Sequence, residues 1–233
     1  MARWVRYVLL TALLASIVAC ASFKPAQPRP QQAESARPLP TEGTHYRVAD
    51  TSEIHVLVYR GGPLSRFGHN HVMLSRDVTG DIWIADPIDR SSVALHMPVD
   101  TLVVDDAAAR REEGTDFSVE VPEDAKQGTR KNMLSGAVLD GARYPTIELR
   151  STAISGTRVS PRLKLAITIR DQTREIEVPV SVSYEADRLV ATGEFALKQS
   201  DFGIEPFSVA LGAVQVVDEL RLKFRVVAVL AAG

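Results

Sequence analysis

The sequence predicts an all-β domain in which antiparallel strands close into a barrel. Short apolar runs recur along residues 44–231, turn signals separate them, and long stretches of helical periodicity are scarce. Several runs alternate with a period of two, so that Leu163, Leu165, Ile167 and Ile169 share one side of a strand. About eight such strands can close on themselves, which removes the sheet edges and leaves room for one small apolar ligand.

The predicted strands follow one another along the chain, separated by turns. Residues 170–174 form the turn of a predicted hairpin, and Gly61, Gly62 and Pro63 break the chain after the first strand. The segments predicted as strands are residues 54–59, 72–75, 78–85, 91–98, 146–151, 163–169, 176–184, 189–197 and 220–230.

A short helical insertion interrupts the strand pattern at residues 122–134. Pro122 suits the first turn of a helix, and the carboxylates of Glu123 and Asp124 lie near the positive end of its dipole. Gly128 weakens the helix, which is therefore expected to be short. Residues 107–113 add a further turn or two.

The N-terminus predicts an exported lipoprotein. Arg3 and Arg6 precede an apolar stretch at residues 8–18, and small residues lead into Cys20, the only cysteine. The stretch is too short to span a bilayer of roughly 30 Å, and the motif resembles a bacterial lipobox. We therefore expect residues 1–19 to be a signal peptide, and a periplasmic protein held on the outer membrane by acylated Cys20, since Ala21 follows it. The alternatives are a plain signal peptide with an incidental cysteine and an uncleaved membrane anchor.

Residues 20–43 predict a tether that joins this anchor to the barrel domain at residues 44–231. The segment is rich in proline, glutamine and serine, and a chain of this composition is a semi-extended spacer of up to ~3 Å per residue. Without residues 1–19 the chain has 25 basic and 29 acidic residues, a net charge of −4, which gives no reason to expect nucleic acid. No second cysteine exists for an intramolecular disulfide, so the fold depends on its apolar core.

Five motifs in order resemble the YceI family of bacterial periplasmic proteins. They are YRVADTS at residues 46–52, LD at 139–140 followed by RYPTIELRS at 143–151, the strand and turn at 165–174 with Thr173-Arg174, SDFGI at 200–204, and VDEL at 217–220. The resemblance covers nearly all of residues 44–230. It implies an extended, lipocalin-like antiparallel barrel with a helical insertion, and a polyisoprenoid lipid bound in the barrel pore.

A ligand of this kind needs a dry tunnel lined by branched and aromatic side chains. Each buried methylene contributes about 0.8 kcal/mol, so the tunnel needs no specific polar contact. We expect a polyprenyl chain or an isoprenoid quinone as ligand, with no cofactor. The alternative for each candidate lining residue is ordinary barrel core. The candidates are Val56, Val58, Ile82, Ile84, Phe195, Phe202, Phe207 and Phe224.

His69 and His71 predict a rival function, a metal-dependent hydrolase. If residues 68–73 are extended, both imidazoles lie on the same side and could bind one metal ion at ~2.1 Å. A catalytic zinc normally has three protein ligands. The other reading is that the pair makes polar contacts at the barrel mouth. The third ligand would have to come from His45, His55, His96, Glu53 or Asp201.

Other chemical signals in the sequence are weak. Arg130 and Lys131 could bind a pyrophosphate or an anionic lipid head group, although such pairs are more often solvated surface. The sequence contains no phosphate loop, nucleotide fingerprint or nucleophile elbow. We therefore expect a lipid-binding protein and not an enzyme, with a partner-binding barrel of packed interior as the second alternative.

Overall fold

The computed structural model describes residues 41–209 and 211–232. The predicted signal peptide, Cys20 and nearly all of the tether lie outside the described residues. The two helices of the described part are α1 (Ala107–Glu112) and α2 (Glu123–Leu134). Its strands are β1 (Thr44–Val48), β2 (Glu53–Val58), β3 (Arg60–Gly61), β4 (His71–Ser75), β5 (Thr79–Ile84), β6 (Ser92–Pro98), β7 (Val103–Val104), β8 (Thr146–Gly156), β9 (Pro161–Ile169), β10 (Gln172–Pro179), β11 (Ser181–Tyr184), β12 (Arg188–Lys198), β13 (Ser208–Val209), β14 (Val214–Val216) and β15 (Glu219–Leu230).

The fold prediction is confirmed: the large sheet is an antiparallel, lipocalin-like barrel. β15 pairs with β12 along its whole length, and its other edge pairs with β1 and β2 placed end to end. From β1 the sheet continues through β5, β6, β8 and β9 to β10. β11 follows β10 along the chain and pairs with β12, which brings the ring of strands back to β15. A small sheet of β13, β14 and β3 lies at one end.

The predicted alternation decides which side chains enter the barrel. Leu163, Leu165, Ile167 and Ile169 on β9 are all buried, while Lys164 between them is exposed. The hairpin predicted at residues 170–174 joins β9 to β10, and Arg170 turns the chain there with a φ of 58°. Since every second residue of an antiparallel strand faces inward, β9 contributes a continuous apolar stripe to the interior.

The region predicted as one strand at residues 176–184 is two strands in the structure. β10 pairs with β9, whereas β11 pairs with β12. Pro179 ends β10, and proline has no backbone N–H to continue a ladder. Val180 donates its backbone N–H to the carbonyl of Pro161, and the chain then changes partner. This change of partner carries the sheet from β9 to β12.

Both predicted helices are present, and each covers a different part of the barrel. The side chain of Asp106 caps α1 by accepting hydrogen bonds from the backbone of Ala108 and Ala109. Beneath α1, a second apolar cluster buries the outer face of β2 and β4, with Leu57, Val72 and Leu74 almost fully inaccessible. Met133 of α2 belongs to the interior core instead. Among the described residues, no helix has the length and apolar character needed to cross a bilayer.

Candidate functional site

An apolar cavity of about 370 Å³ occupies the interior of the barrel. This volume lies within the range of small-molecule sites, roughly 300–1,000 Å³. The wall consists mainly of aliphatic side chains on the inward faces of β2, β5, β6, β8, β9, β12 and β15, with one side supplied by α2 and the segment after it. The interior is thus hollow, which favours a ligand-binding barrel over one whose interior is merely packed.

Seven of the eight candidate lining residues lie on the wall of this cavity; Ile84 does not. It is on the same face of β5 as Ile82, but it lies two residues further along the barrel and lines a second cavity of about 50 Å³. Ile82, Val93, Leu163, Val180 and Ala191 are on the walls of both. The seven on the main wall are Val56, Val58, Ile82, Phe195, Phe202, Phe207 and Phe224.

Other parts of the wall were not assigned from the sequence. Ile147 and Leu149 of β8 line the cavity, as do Met133 of α2 and Leu139 after it. The signal for β8 was present in its alternating pattern, but only the pairing of β8 between β6 and β9 shows which face looks inward. For Met133, helical periodicity gives no indication that the end of α2 closes the side of a barrel.

Two phenylalanine rings lie on the cavity wall near Gly193. The ring centroids of Phe195 and Phe224 are 6.4 Å apart and tilted by 59°. A Cβ atom at Gly193 would lie 2.6 Å from the Phe224 ring and 2.6 Å from the carbonyl oxygen of Pro179. Since real Cβ atoms do not approach so closely, the absence of a side chain at position 193 lets the Phe224 ring lie over β12.

The polar part of the wall marks the end at which the cavity meets solvent. Arg60, His69, His71, Gln199 and Gln215 reach the wall in this region, and Thr129 and Asn132 of α2 reach it as well. Arg60, Gln215 and Asn132 are exposed, and His69 and His71 are partly buried. An apolar interior with most of its polar groups near one end is the arrangement expected for a site that holds hydrocarbon and leaves a head group near water.

A buried Asp105 fixes the position of His71. Asp105 Oδ2 is 2.6 Å from His71 Nδ1, and Oδ1 accepts hydrogen bonds from the Val72 N–H at 3.0 Å and from Arg110 at 2.5 Å. Burial raises the pKa of Asp105, but the hydrogen bonds from His71, Val72 and Arg110 outweigh it, and the pKa is lowered. Arg110 also donates to the carbonyl of Asn70 at 2.7 Å. This network holds the segment that carries both histidines.

His69 and His71 lie side by side, with ring centroids 6.1 Å apart. Burial and the neighbouring His71 and Arg110 lower the pKa of His69, which favours its neutral form. Two of the suggested third ligands have other partners: His45 contacts Asp81 at 2.7 Å, and His55 contacts Glu113 at 2.8 Å. Within the described ranges, the group of ligand atoms that could meet at one ion comprises Glu53, His55 and Glu112, and includes neither His69 nor His71.

The suggested head-group residues lie beside the cavity and not on its wall. Arg130 donates to the backbone carbonyls of Leu102 and Asp100, which ties α2 to the loop before β7. Lys131 is exposed. Their neighbours Thr129 and Asn132 reach the wall instead. These contacts give Arg130 a structural role, and they do not direct it toward a head group in the cavity.

These features define a class: an antiparallel, lipocalin-like barrel with an apolar internal cavity that is polar at one end. A sequence model described as the YceI-like domain matches residues 48–228, and the chain belongs to the YceI family. A search of curated protein sequences finds no match.

Solved structures share the fold at low sequence identity. BcnA of Burkholderia cenocepacia has a TM-score of 0.57 at 15% identity, over 77% of this chain and 98% of that one. A polyisoprenoid-binding domain from Saccharophagus degradans has a TM-score of 0.53 at 11% identity, over 82% and 100%. A cysteine variant of the Campylobacter jejuni YceI protein with a monobromobimane guest has a TM-score of 0.50 at 11% identity, over 68% and 84%.

Proposed function

We propose that this protein binds an isoprenoid-type lipid, a polyprenyl chain or an isoprenoid quinone, with the hydrocarbon inside the barrel. The observation that carries the proposal is the apolar cavity of about 370 Å³, whose wall is mainly aliphatic and aromatic. Membership of the YceI family and the likeness to a polyisoprenoid-binding domain support the same ligand class. Binding then depends on buried hydrocarbon, at about 25 cal/mol per Å² of apolar surface removed from water.

The polar residues at the end of the cavity are better suited to contact a lipid head group than to catalyse a reaction. His69 on the cavity wall has a lowered pKa, and in its neutral form it can donate one hydrogen bond and accept another. His71 is held by Asp105, whose charge is matched by Arg110. We infer from these contacts a carrier or binding protein without a bound cofactor, and we keep a metal-dependent hydrolase as the outcome that the next experiment would reveal.

Mass spectrometry of an organic extract of the purified protein tests the ligand class. We expect a co-purifying isoprenoid in near-stoichiometric amount, because a chain that fills the cavity leaves slowly. Elemental analysis of the same sample should show no stoichiometric zinc or iron. An extract without lipid, or a metal that is lost in the His69→Ala, His71→Ala double variant, would contradict the proposal and favour the hydrolase.

We further propose that the mature protein is a periplasmic lipoprotein, anchored to the outer membrane through acylated Cys20. The support is the lipobox-like motif and the proline-rich tether at residues 20–43. At ~3 Å per residue, a tether of this length reaches roughly 70 Å when extended. This reach lets the barrel stand away from the membrane that anchors it.

Replacement of Cys20 by Ser tests the anchor. We expect the variant to leave the membrane fraction or to accumulate unprocessed, because the acylated thiol and its processing are both lost. Membrane fractionation with immunoblotting measures the distribution, and a Ser35→Ala variant in the tether is the control. A Cys20→Ser protein that fractionates and migrates as the parent does would show that the assignment is wrong.

A further inference from the structure

Five exposed apolar side chains form a surface that we call the rim patch: Leu64, Phe67, Phe207, Val209 and Leu211. Phe67 is 66% exposed, and Leu211 is fully exposed. Large apolar side chains that are this exposed reduce the solubility of a protein. A group of them on one surface usually marks a site of interaction with a partner or a membrane.

The rim patch is one continuous surface at the opening of the cavity. The backbone N–H of Leu64 donates to the carbonyl of Ala213, beside the turn that carries Leu211. Gly68, next to Phe67, lies against Val214. Phe207 and Val209 belong to the rim patch and to the cavity wall at the same time. Whatever covers the rim patch is therefore in contact with the cavity opening.

The charged residues around the rim patch favour a partner surface that is anionic. Residues 60–71 and 206–217 contain no aspartate or glutamate, although Glu205 and Asp218 lie directly beside the second segment and the whole chain has a net charge of −2. Arg60 is exposed on the same side, and the Arg66 guanidinium lies 4.6 Å from the centre of the Phe67 ring. Aromatic and aliphatic side chains accompanied by arginine are typical of protein surfaces that lie in a membrane interface.

Leu211 is unusual in its backbone as well as in its exposure. Its φ is 56°, in the left-handed region that branched and bulky side chains rarely adopt. Asparagine or glycine would suit this turn better, and neither would place an apolar side chain in water. Insertion of the Leu211 side chain into hydrocarbon would remove the cost of its exposure to water.

We propose that the rim patch inserts into the surface of an anionic phospholipid bilayer, so that the cavity opens directly onto the membrane. This inference rests on the proposed function, because an isoprenoid chain that entered through water would lose about 0.8 kcal/mol for each exposed methylene. Docking of the opening on the bilayer lets the chain pass between two apolar phases. The first residue of β1, Thr44, lies at the other end of the barrel, paired with Ile84.

Vesicle flotation of residues 41–233 tests the proposal, since this part of the chain contains every strand, both helices and the core described above. The test variant is Phe67→Ser with Leu211→Asn, neither of which is on the cavity wall. We expect association with phosphatidylglycerol-containing vesicles to fall roughly tenfold or more. Val159→Ser is the matched control, because Val159 is 60% exposed beside the small cavity at the opposite end, and it should bind vesicles as the parent does.

Binding of geranylgeraniol without vesicles separates this proposal from the proposed function. We expect the test variant to bind it as the parent does while failing to take it from vesicles. A parent that does not associate with vesicles, or a Val159→Ser variant that is impaired equally, would overturn the rim patch proposal. A parent that binds vesicles through the rim patch but takes up no isoprenoid would support membrane docking and overturn the ligand. Unchanged vesicle binding by the test variant would overturn docking alone.

Discussion

Replacement of Ala191 by Phe is expected to abolish tight binding of long isoprenoids while short ones still bind. Ala191 lies on β12 and lines both cavities, so a larger side chain there closes the deep end of the main one. A phenyl ring occupies about the space of one five-carbon isoprene unit, whose burial is worth about 4 kcal/mol at about 0.8 kcal/mol per carbon. The affinity for a chain that fills the cavity should fall roughly 100- to 1,000-fold.

The control for this variant lies on the same strand. Ala196→Phe adds the same ring, but Ala196 is exposed on the outer face of β12, opposite Arg221 on β15. It should leave the affinity unchanged. Thermal unfolding of both variants shows whether the ring at position 191 is accommodated in the cavity, in which case the midpoint stays close to that of the parent or rises.

A series of isoprenoid alcohols of increasing length measures the capacity of the cavity. Affinity should rise with each added unit until the cavity is full, and the Ala191→Phe variant should reach its plateau at a shorter chain than the parent. Fluorescence or calorimetric titration gives the dissociation constants. If all lengths bind equally, or if the two phenylalanine variants shorten the plateau to the same extent, the hydrocarbon does not occupy the barrel interior.

The sequence predicts the strands of this barrel well because alternation is a local property. The stripe from Leu163 to Ile169 could be recognised from four residues, and the structure buries all four. The change of partner at Pro179 could not be recognised in the same way, since it depends on which strands meet when the sheet closes. β1 was included in the domain but not predicted as a strand. Its residues do alternate, with His45 and Arg47 on either side of Tyr46, but a run of five residues with only Tyr46 and Val48 as apolar members is a weak signal.

The kinds of residue that line the cavity could be predicted from the sequence, but the particular residues could be predicted less well. Aromatic and branched residues on alternating strands are candidates for any barrel interior, but Ile82 and Ile84 alternate identically, and only Ile82 reaches the main cavity. Only the position along the barrel axis separates them. The role of Asp105 was missed for a similar reason, because His71, Val72 and Arg110 come to it from distant or differently structured segments.

Replacement of Asp105 by Asn is expected to destabilise the fold by about 3–5 kcal/mol, the usual cost of breaking a buried ion pair. Asp105 is 1% exposed and Arg110 is 7% exposed, so the variant leaves a buried guanidinium without its counter-charge. Asparagine keeps the shape of the side chain and tolerates the left-handed backbone, whose φ at position 105 is 56°. The decrease in the free energy of unfolding should therefore reflect the lost charge and hydrogen bonds, and not backbone strain. Urea unfolding at neutral pH measures it.

Asp140→Asn is the matched control, because Asp140 also has a positive φ, 48°, and also pairs with an arginine, at 3.3 Å. Its partner Arg143 is 71% exposed, so the control should cost less than about 1 kcal/mol. The pKa of Asp105 is lowered in the folded protein, so its stabilising effect is present above the ordinary value of 3.8 and is lost as the pH falls through the lower folded-state pKa. The difference between parent and Asp105→Asn should accordingly shrink in that acidic range. Equal losses for the two variants, or a difference that grows on acidification, would show that the Asp105 carboxylate does not hold the segment carrying His69 and His71 at the cavity opening.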